Sequence, residues 1–466
     1  MPVQLLCPLL FLTGLTAHPV QERELVLTGG RLFDGVREDL VANTGIVIRG
    51  GKLVEVGADL DGRELEGVEV IRLEDDETVL PGLFDLHAHY AMDLFGAGRV
   101  DEREGNPVVF LANGVTSTFP AGEVNPEEMR ELRMRIDRGE AIGPRILNSG
   151  PYFGRWRRGW ERDMSVGDLN AEVDLWAERG VTGFKAKGIG PVHLRALIER
   201  AHLHGLTVTA HLGSGYRDTV NPRDAVLMGI DRVEHFLGGD ALSASRSAYS
   251  SLVEVDPATP EFAAVAELFI RHGTYFDATL TAFGYYGERD PAMFEPWADE
   301  RGFFTPYVQE LVGKRGEHRV VEQFERIYHV KFRTIAAFFE AGGGHLITLG
   351  TDHPSTGEYL AGFAAHRELF AFVLAGIPPA AALRFGTING ARALGKGELL
   401  GTIEPGKLAD LFVIEGDPLA DIRNTRNVRL VVKAGVVYDP AALLESVQGT
   451  IGPQGPDEVE AWKPPR

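Results

Sequence analysis

Between residues 81 and 395 the chain alternates short strand-like runs with helical ones eight times, and no other feature restricts its fold as much. Such alternation is the pattern of βα units about a parallel sheet, and eight units favour closure into a (β/α)₈ barrel of TIM type, an α/β fold, over an open sheet. The strand-like runs are Leu83 to Leu86, Val115 to Phe119, Arg145 to Leu147, Val181 to Phe184, Leu206 to Thr209, Asp231 to Glu234, Thr274 to Ala278 and Leu346 to Leu349. Helical spacing is clearest at Leu194, Leu197, Ile198 and Ala201, and Asn125-Pro126 reads as a cap followed by a proline start.

Both flanks of this region read as β-structure. Leu25-Val26-Leu27, Ile46-Val47-Ile48 and Leu53 to Val56, with a Gly50-Gly51 turn, have counterparts in Leu411 to Ile414, Val428 to Val432 and Val436 to Tyr438. With nothing helical between their own strands, residues 23–80 and 396–440 are expected to assemble one small β-sandwich domain around the inserted barrel of residues 81–395. The stretch 441–466, rich in Pro and Gly, is expected to be a loosely packed C-terminal extension.

Composition narrows the function classes. A formal charge of -20 in 466 residues argues against nucleic-acid or anionic-membrane partners, which are met through basic patches, and leaves a small-molecule substrate as the expected partner, with a homo-oligomer open. The single cysteine, Cys7, excludes an internal disulfide and a thiolate metal site, so any metal must be held by His and carboxylates. Cys7 lies in the apolar run Leu5 to Leu12, and residues 1–22 read as a secretory signal peptide or a disordered extension, too short to span a membrane. Export to a periplasm or the exterior is the expectation, with a cytoplasmic location as the alternative, because the first four residues carry no basic side chain.

In a barrel of this type the chemistry sits at the carboxyl ends of the strands, and the polar residues there form a short, consistent set. Strand 1 ends in His87-Ala88-His89; side chains two apart share a face, so both imidazoles can grip one ion. Strand 5 ends at His211, strand 6 at His235 and strand 8 at Asp352. Each of these alone reads more simply as a hydrogen-bonded strand end, whereas four histidines and an aspartate on one rim point to a metal site. Of the fourteen histidines, His193, His202, His204, His272, His318, His329 and His366 fall on helices or connections and read as surface or packing residues. Lys185, at the end of strand 4, cannot ligate a cation as an ammonium group. Carboxylated by CO₂ it would become an anionic oxygen ligand; a salt-bridged lysine is the plain alternative, and Lys187 on the same face is its rival.

Taken with Leu80-Pro81-Gly82-Leu83-Phe84-Asp85-Leu86-His87-Ala88-His89, Gly143-Pro144-Arg145, Gly229-Ile230-Asp231-Arg232-Val233-Glu234-His235, Gly350-Thr351-Asp352, Thr387 to Gly395 and Gly401 to Leu411, the chain resembles the amidohydrolase superfamily over residues 25 to 440. It is most similar to the imidazolonepropionase-like branch that also contains Xaa-Pro dipeptidase-type enzymes. The resemblance selects Lys185 over Lys187, because the family's strand-4 lysine stands five residues after the glycine matched by Gly180. It implies a binuclear centre of two divalent ions, zinc by default, in which His87, His89 and Asp352 hold the buried ion, His211 and His235 the outer one, and carboxylated Lys185 bridges them. It further implies hydrolysis of an amide C–N bond by a hydroxide generated between the ions, with Asp352 as proton shuttle.

Substrate choice is expected from the longer loops after the strands. Arg155, Arg157, Arg158 and Arg162 follow strand 3 and could hold a substrate carboxylate, or pair with surface acids. Tyr216 and Arg217, beyond His211, are further candidates, although a tyrosine comes sooner after this histidine in the dipeptidase-like pattern. His353 faces either substrate or the metal ligands. The aromatic stretch Tyr285, Tyr286, Phe294, Trp297, Phe303, Phe304 and Tyr307 suits either a lid or ordinary packing. The leading expectation is an amidohydrolase acting on a dipeptide, N-acyl amino acid or cyclic amide; a mononuclear deaminase-type enzyme and a non-catalytic binding protein on the same fold are the alternatives. The bridging lysine disfavours the first of these, and the complete ligand set disfavours the second.

Overall fold

A computed structural model describes residues 24–57, 68–94, 99–157, 159–161, 163–287, 291–294, 300–314, 320–356 and 359–462. The apolar N-terminal run with Cys7, as well as Arg158, Arg162, Trp297 and His318, lies outside the described residues.

The N-terminal part supplies β1 (Glu24–Leu32), β2 (Val41–Arg49), β3 (Lys52–Val56) and β4 (Glu69–Pro81). The central part supplies β5 (Leu83–Ala88), β6 (Ala91–Asp93), β7 (Arg99–Asp101), β8 (Val115–Pro120), β9 (Arg145–Ile146), β10 (Tyr152–Phe153), β11 (Gly183–Lys187), β12 (Thr207–His211), β13 (Arg232–Glu234), β14 (Tyr275–Asp277) and β15 (Ile347–Thr348). The chain adds β16 (Leu411–Glu415), β17 (Val428–Lys433) and β18 (Val436–Tyr438) after them.

Both flanks join, as their patterning suggests, but in a single seven-stranded sheet of order β18-β17-β16-β4-β1-β2-β3 rather than as two facing sheets. The sequence reading missed β4, the strand that unites them: it runs parallel to β1 on one side and antiparallel to β16 on the other. The sheet curls until its ends approach. Leu53 N–H donates to the Lys407 carbonyl at 2.8 Å and Ala409 N–H to the Gly51 carbonyl at 2.9 Å. Inside the curl Leu25, Leu27, Ile46, Ile48, Val79, Leu411, Val413 and Val432 form an apolar core of their own, each such side chain worth about 1.5–3 kcal/mol when fully buried.

The central strands are parallel. β5, β8 and β9 form one sheet, and β10 to β15 a second of six strands in chain order. Backbone hydrogen bonds link the two at both seams: Leu86 N–H to the Leu349 carbonyl (2.9 Å) and Thr182 N–H to the Asn148 carbonyl (2.8 Å). Between the strands run helices such as Pro191–Leu203, which buries Leu194, Leu197, Ile198 and Ala201, the residues its periodicity marks as apolar. The hairpin of β6 and β7 and the two-residue β10 have no counterpart in the sequence reading, being too short to show a period.

The C-terminal stretch is not loosely packed. The helix Pro440–Ser446 buries Leu443, and Ile451 is fully buried, exchanging backbone hydrogen bonds with Phe303 and Thr305 (both 3.0 Å). Gly449 and Gly452, at φ 70° and 101°, turn the chain there, and composition alone does not distinguish such a packed segment from a tail. Among the described residues no helix is long and apolar enough to cross a membrane.

Candidate metal centre

All six residues singled out at the strand ends converge on one place. His87 is the fifth residue of β5 and His89 follows that strand; Lys185 lies within β11; His211 closes β12; His235 follows β13; Asp352 follows β15. Ring centroids of His87 and His89 are 5.3 Å apart, those of His87 and His235 4.8 Å, and those of His211 and His235 4.5 Å. One Asp352 oxygen stands 2.8 Å from His89 Nε2 and 3.2 Å from His87 Nε2; the other lies 3.8 Å from His235 Nε2. Lys185 pairs with Glu234, which also approaches His87 Nδ1 at 3.6 Å.

Glu234 is a member of this cluster that the sequence reading missed. Alternation along a strand sends adjacent side chains to opposite faces, so Glu234 and His235 should diverge. His235, however, has φ 66°, a left-handed conformation, and so does Asp352 at φ 50°. Non-glycine residues adopt it at a cost of order 1–3 kcal/mol, and here it turns the His235 ring to the side occupied by Glu234.

Buried polar groups hold the strand ends in register. Asp85 accepts hydrogen bonds from His87 N–H (3.0 Å), Thr351 N–H (3.1 Å) and Thr351 Oγ1 (2.7 Å), tying the loop that bears Asp352 to the strand that bears His87. Burial, against these hydrogen bonds, pushes its carboxyl up to about 6. Arg232 is equally buried, 3.0 Å from Asp277 and donating to the Leu86 carbonyl at 3.0 Å. Gly350 is required where it stands, because a Cβ there would lie 2.7 Å from His87 Cβ.

The electrostatics suit a cation. Burial holds His87, His211 and His235 well below the usual histidine range; for His87 the next cause is Lys185, for His211 Lys187, and for His235 His211. Neutral imidazoles offer lone pairs, and two buried ring nitrogens, Nδ1 of His87 and of His211, have no hydrogen-bond partner. Two sets of donor atoms, His87/His89/Asp352 and His87/Glu234/His235, each lie within 4.8 Å of one another. Asp352 stays well below the carboxylate range although burial opposes this, because His87 and the hydrogen bonds from His87 and His89 outweigh it. Orphaned buried nitrogens facing carboxylates are what divalent ions require, so the residues present fit them.

The expected substrate contacts divide. Arg155, Tyr216 and Arg217 line one cavity of about 260 Å³ together with His211, Trp156 and Tyr249, whose hydroxyl is 3.4 Å from His211 Nε2. His353 is not among its lining residues; it packs edge-on against Tyr285 at 5.6 Å, and burial pushes it down to about 3. Lys187 stands with Nζ 4.3 Å from the Trp156 ring centroid, while Arg157 pairs with Glu172 on the surface. Tyr285, Phe294, Phe303 and Phe304 are buried packing residues. His202 and His204 pair with Asp231 and Asp174 away from the cluster.

Residues 317–438, which include Asp352, match the model of the amidohydrolase family, and three solved structures superpose on 89%, 93% and 94% of the chain. An Xaa-Pro dipeptidase with bound methionine shares 21% identity with this protein at a TM-score of 0.65, covering 89% of this chain and 100% of that one. Molinate hydrolase shares 21% at 0.68 (93% and 98%), and the A. niger ochratoxinase 19% at 0.64 (94% and 98%). At such identities the likeness is one of fold. A search of curated protein sequences returns no match.

Proposed function

We propose that this protein is an amidohydrolase, a binuclear metal-dependent hydrolase that cleaves an amide C–N bond in a small substrate such as a dipeptide, an N-acyl amino acid or a cyclic amide. The observation that carries this reading is the convergence of His87, His89, His211, His235, Lys185 and Asp352 from separate strand ends on one buried point. We read the two parallel sheets as one (β/α)₈ barrel of residues 81–395, and the curled sheet of residues 23–80 and 396–440 as a second domain.

In this reading His87, His89 and Asp352 would hold one ion and His211 and His235 the other, with carboxylated Lys185 as a further oxygen ligand. Divalent ions, zinc being the natural choice for such donors, supply Lewis acidity to a water and to the scissile carbonyl when bound. Burial, then the charge of Lys187, lowers Lys185 well below the usual lysine range, which favours the free amine that adds CO₂. As its nitrogen bonds to carbon it releases a proton, and Glu234, in contact with Nζ, is placed to accept it. Asp352 takes the proton of the attacking water and hands it to the leaving nitrogen. Arg155, Arg217 and Tyr216, in the cavity that contains His211, bind a carboxylate on the substrate.

Metal content per chain by elemental analysis, measured for the wild type and Lys185→Ala together with hydrolysis of dipeptides and N-acyl amino acids, tests the reading. Two ions per chain that fall together with activity in the variant support it. One ion, held equally well by the variant, overturns the bridged centre and favours a mononuclear enzyme.

A further inference from the structure

Thr279 follows β14, carries no metal-ligating group, and still occupies a demanding position. It is fully buried, β-branched, and left-handed at φ 48° and ψ 53°. Branching at Cβ makes that conformation costly, so the surroundings must impose it. They do so through Glu368, on the helix Phe363–Leu374, whose carboxylate accepts Leu280 N–H (2.6 Å), Thr281 N–H (2.9 Å) and Thr281 Oγ1 (2.8 Å). The two residues after Thr279 are thereby clamped, and its hydroxyl is aimed inward.

The hydroxyl contacts three groups. Thr279 Oγ1 is 2.7 Å from the Ala278 carbonyl, 3.2 Å from Lys331 Nζ and 2.7 Å from His235 Nδ1. A hydroxyl has one proton and two lone pairs. The Ala278 carbonyl can only accept, so it takes the proton. Lys331 brings N–H in either protonation state and fills one lone pair. The remaining lone pair faces His235 Nδ1, which must therefore donate. An imidazole that is neutral and protonated at Nδ1 has its free lone pair at Nε2, the nitrogen that faces Asp352 and Glu234.

Lys331 has no metal-facing role of its own. It is fully buried on the helix Glu322–Glu340, with Nζ 3.9 Å from the Phe283 ring centroid. A lysine removed from water in this way is costly unless its hydrogen bonds are used.

We propose that Thr279 and Lys331 are positioning residues that fix the His235 tautomer, presenting Nε2 as the metal-binding nitrogen. The inference rests on the binuclear reading for what Nε2 binds, but the tautomer itself is a property of the metal-free protein. Partners of this kind behind a ligating histidine typically change metal affinity by roughly 10–100-fold when removed.

The test uses full-length Thr279→Val, which keeps shape and removes the acceptor, with Thr279→Ser, which keeps the acceptor, and Lys331→Met. Ring ¹⁵N shifts of His235 are read in metal-free protein, and zinc affinity is read by chelator competition. Expected are an Nδ1–H ring in wild type and Thr279→Ser, a mixture of tautomers in Thr279→Val, and zinc binding roughly 10–100-fold weaker in Thr279→Val but unchanged in Thr279→Ser. Lys331→Met, freeing the second lone pair, allows the hydroxyl to turn and produces a smaller change in the same direction. A wild-type tautomer in Thr279→Val overturns the proposal whatever the zinc result. Should Thr279→Val not fold, Lys331→Met decides: an unaltered tautomer and affinity there overturn it. A wild type that holds no zinc sinks the binuclear reading, and the ring shifts still decide the relay.

Discussion

The curled seven-stranded sheet and the rim at the strand ends handle the same difficulty, a sharp turn of the backbone, in opposite ways. In the sheet the β2–β3 turn uses Gly50 and Gly51, at φ 57° and 75°, where the left-handed region is free of Cβ strain. At the rim His235, Thr279 and Asp352 adopt it with side chains in place. Among the described residues, six non-glycine residues have positive φ, and Ala434 is the one that belongs to the sheet. Buried nitrogens of His87, His211 and His353 have no hydrogen-bond partner at the rim, and those of Arg31 and Arg429 have none in the sheet, so this feature does not separate the two regions. Where only a turn is needed a glycine suffices; strain retained at His235, Thr279 and Asp352 marks places where a particular side chain must point in a particular direction.

That contrast can be broken by experiment. The largest effect should follow Asp352→Asn: a kcat lower by roughly 10²–10⁴-fold, the usual weight of a positioned proton-transfer group, with a thermal midpoint close to wild type. A variant that unfolds rather than turning over slowly would make the rim a stability element like the sheet. Next, Leu27→Ala, in the core of the curl, should cost about 2–5 kcal/mol in urea unfolding and leave kcat unchanged in the protein that remains folded. Loss of activity at full stability would show that the sheet shapes the site directly.

An effect that varies with pH sharpens the comparison at Glu123, just beyond β8. Burial, opposed by hydrogen bonds from Asn148 and Ser149, pushes this carboxyl from 4.5 up to about 8. The folded state therefore keeps a proton that the unfolded chain releases. Its contribution is fully present below pH 4.5 and is lost as pH rises through 8, at a slope of about 1 kcal/mol per pH unit. Glu123→Gln should remove this decline between pH 5 and 8, measured as the difference in unfolding free energy between the two proteins. Parallel curves for the two would show that the group is not buried in its neutral form.

Much of the rim was legible because its histidines obey strand periodicity: His87 and His89 share a face as any i, i+2 pair does, and His211 closes its strand. Glu234 was not legible, since a left-handed residue after it cancels alternation and no sequence pattern announces that φ. Thr279 and Lys331 escaped for a different reason: the residues lie 52 apart and meet only through tertiary packing. In the sheet, the hairpins were visible from their Gly turns, whereas β4 was hidden by the acidic run Glu74 to Glu77 within it. The layer arrangement was hidden too, because β16 is apolar on both faces, one toward the core of the curl and one toward the large core of the central part.

The pairing of β4 with β16 also sets a timetable. β16 begins at Leu411, 330 residues after β4 ends at Pro81, and Gly82 alone separates β4 from the strand that bears His87 and leads into His89. At a translation rate of roughly 5–20 residues per second, the open edge of β4 waits about 15–65 s for its partner. An unpaired edge of that kind invites pairing with other chains. During synthesis the histidine-bearing strand is thus tethered to an unfinished sheet, whose edge stays open until the last strands emerge.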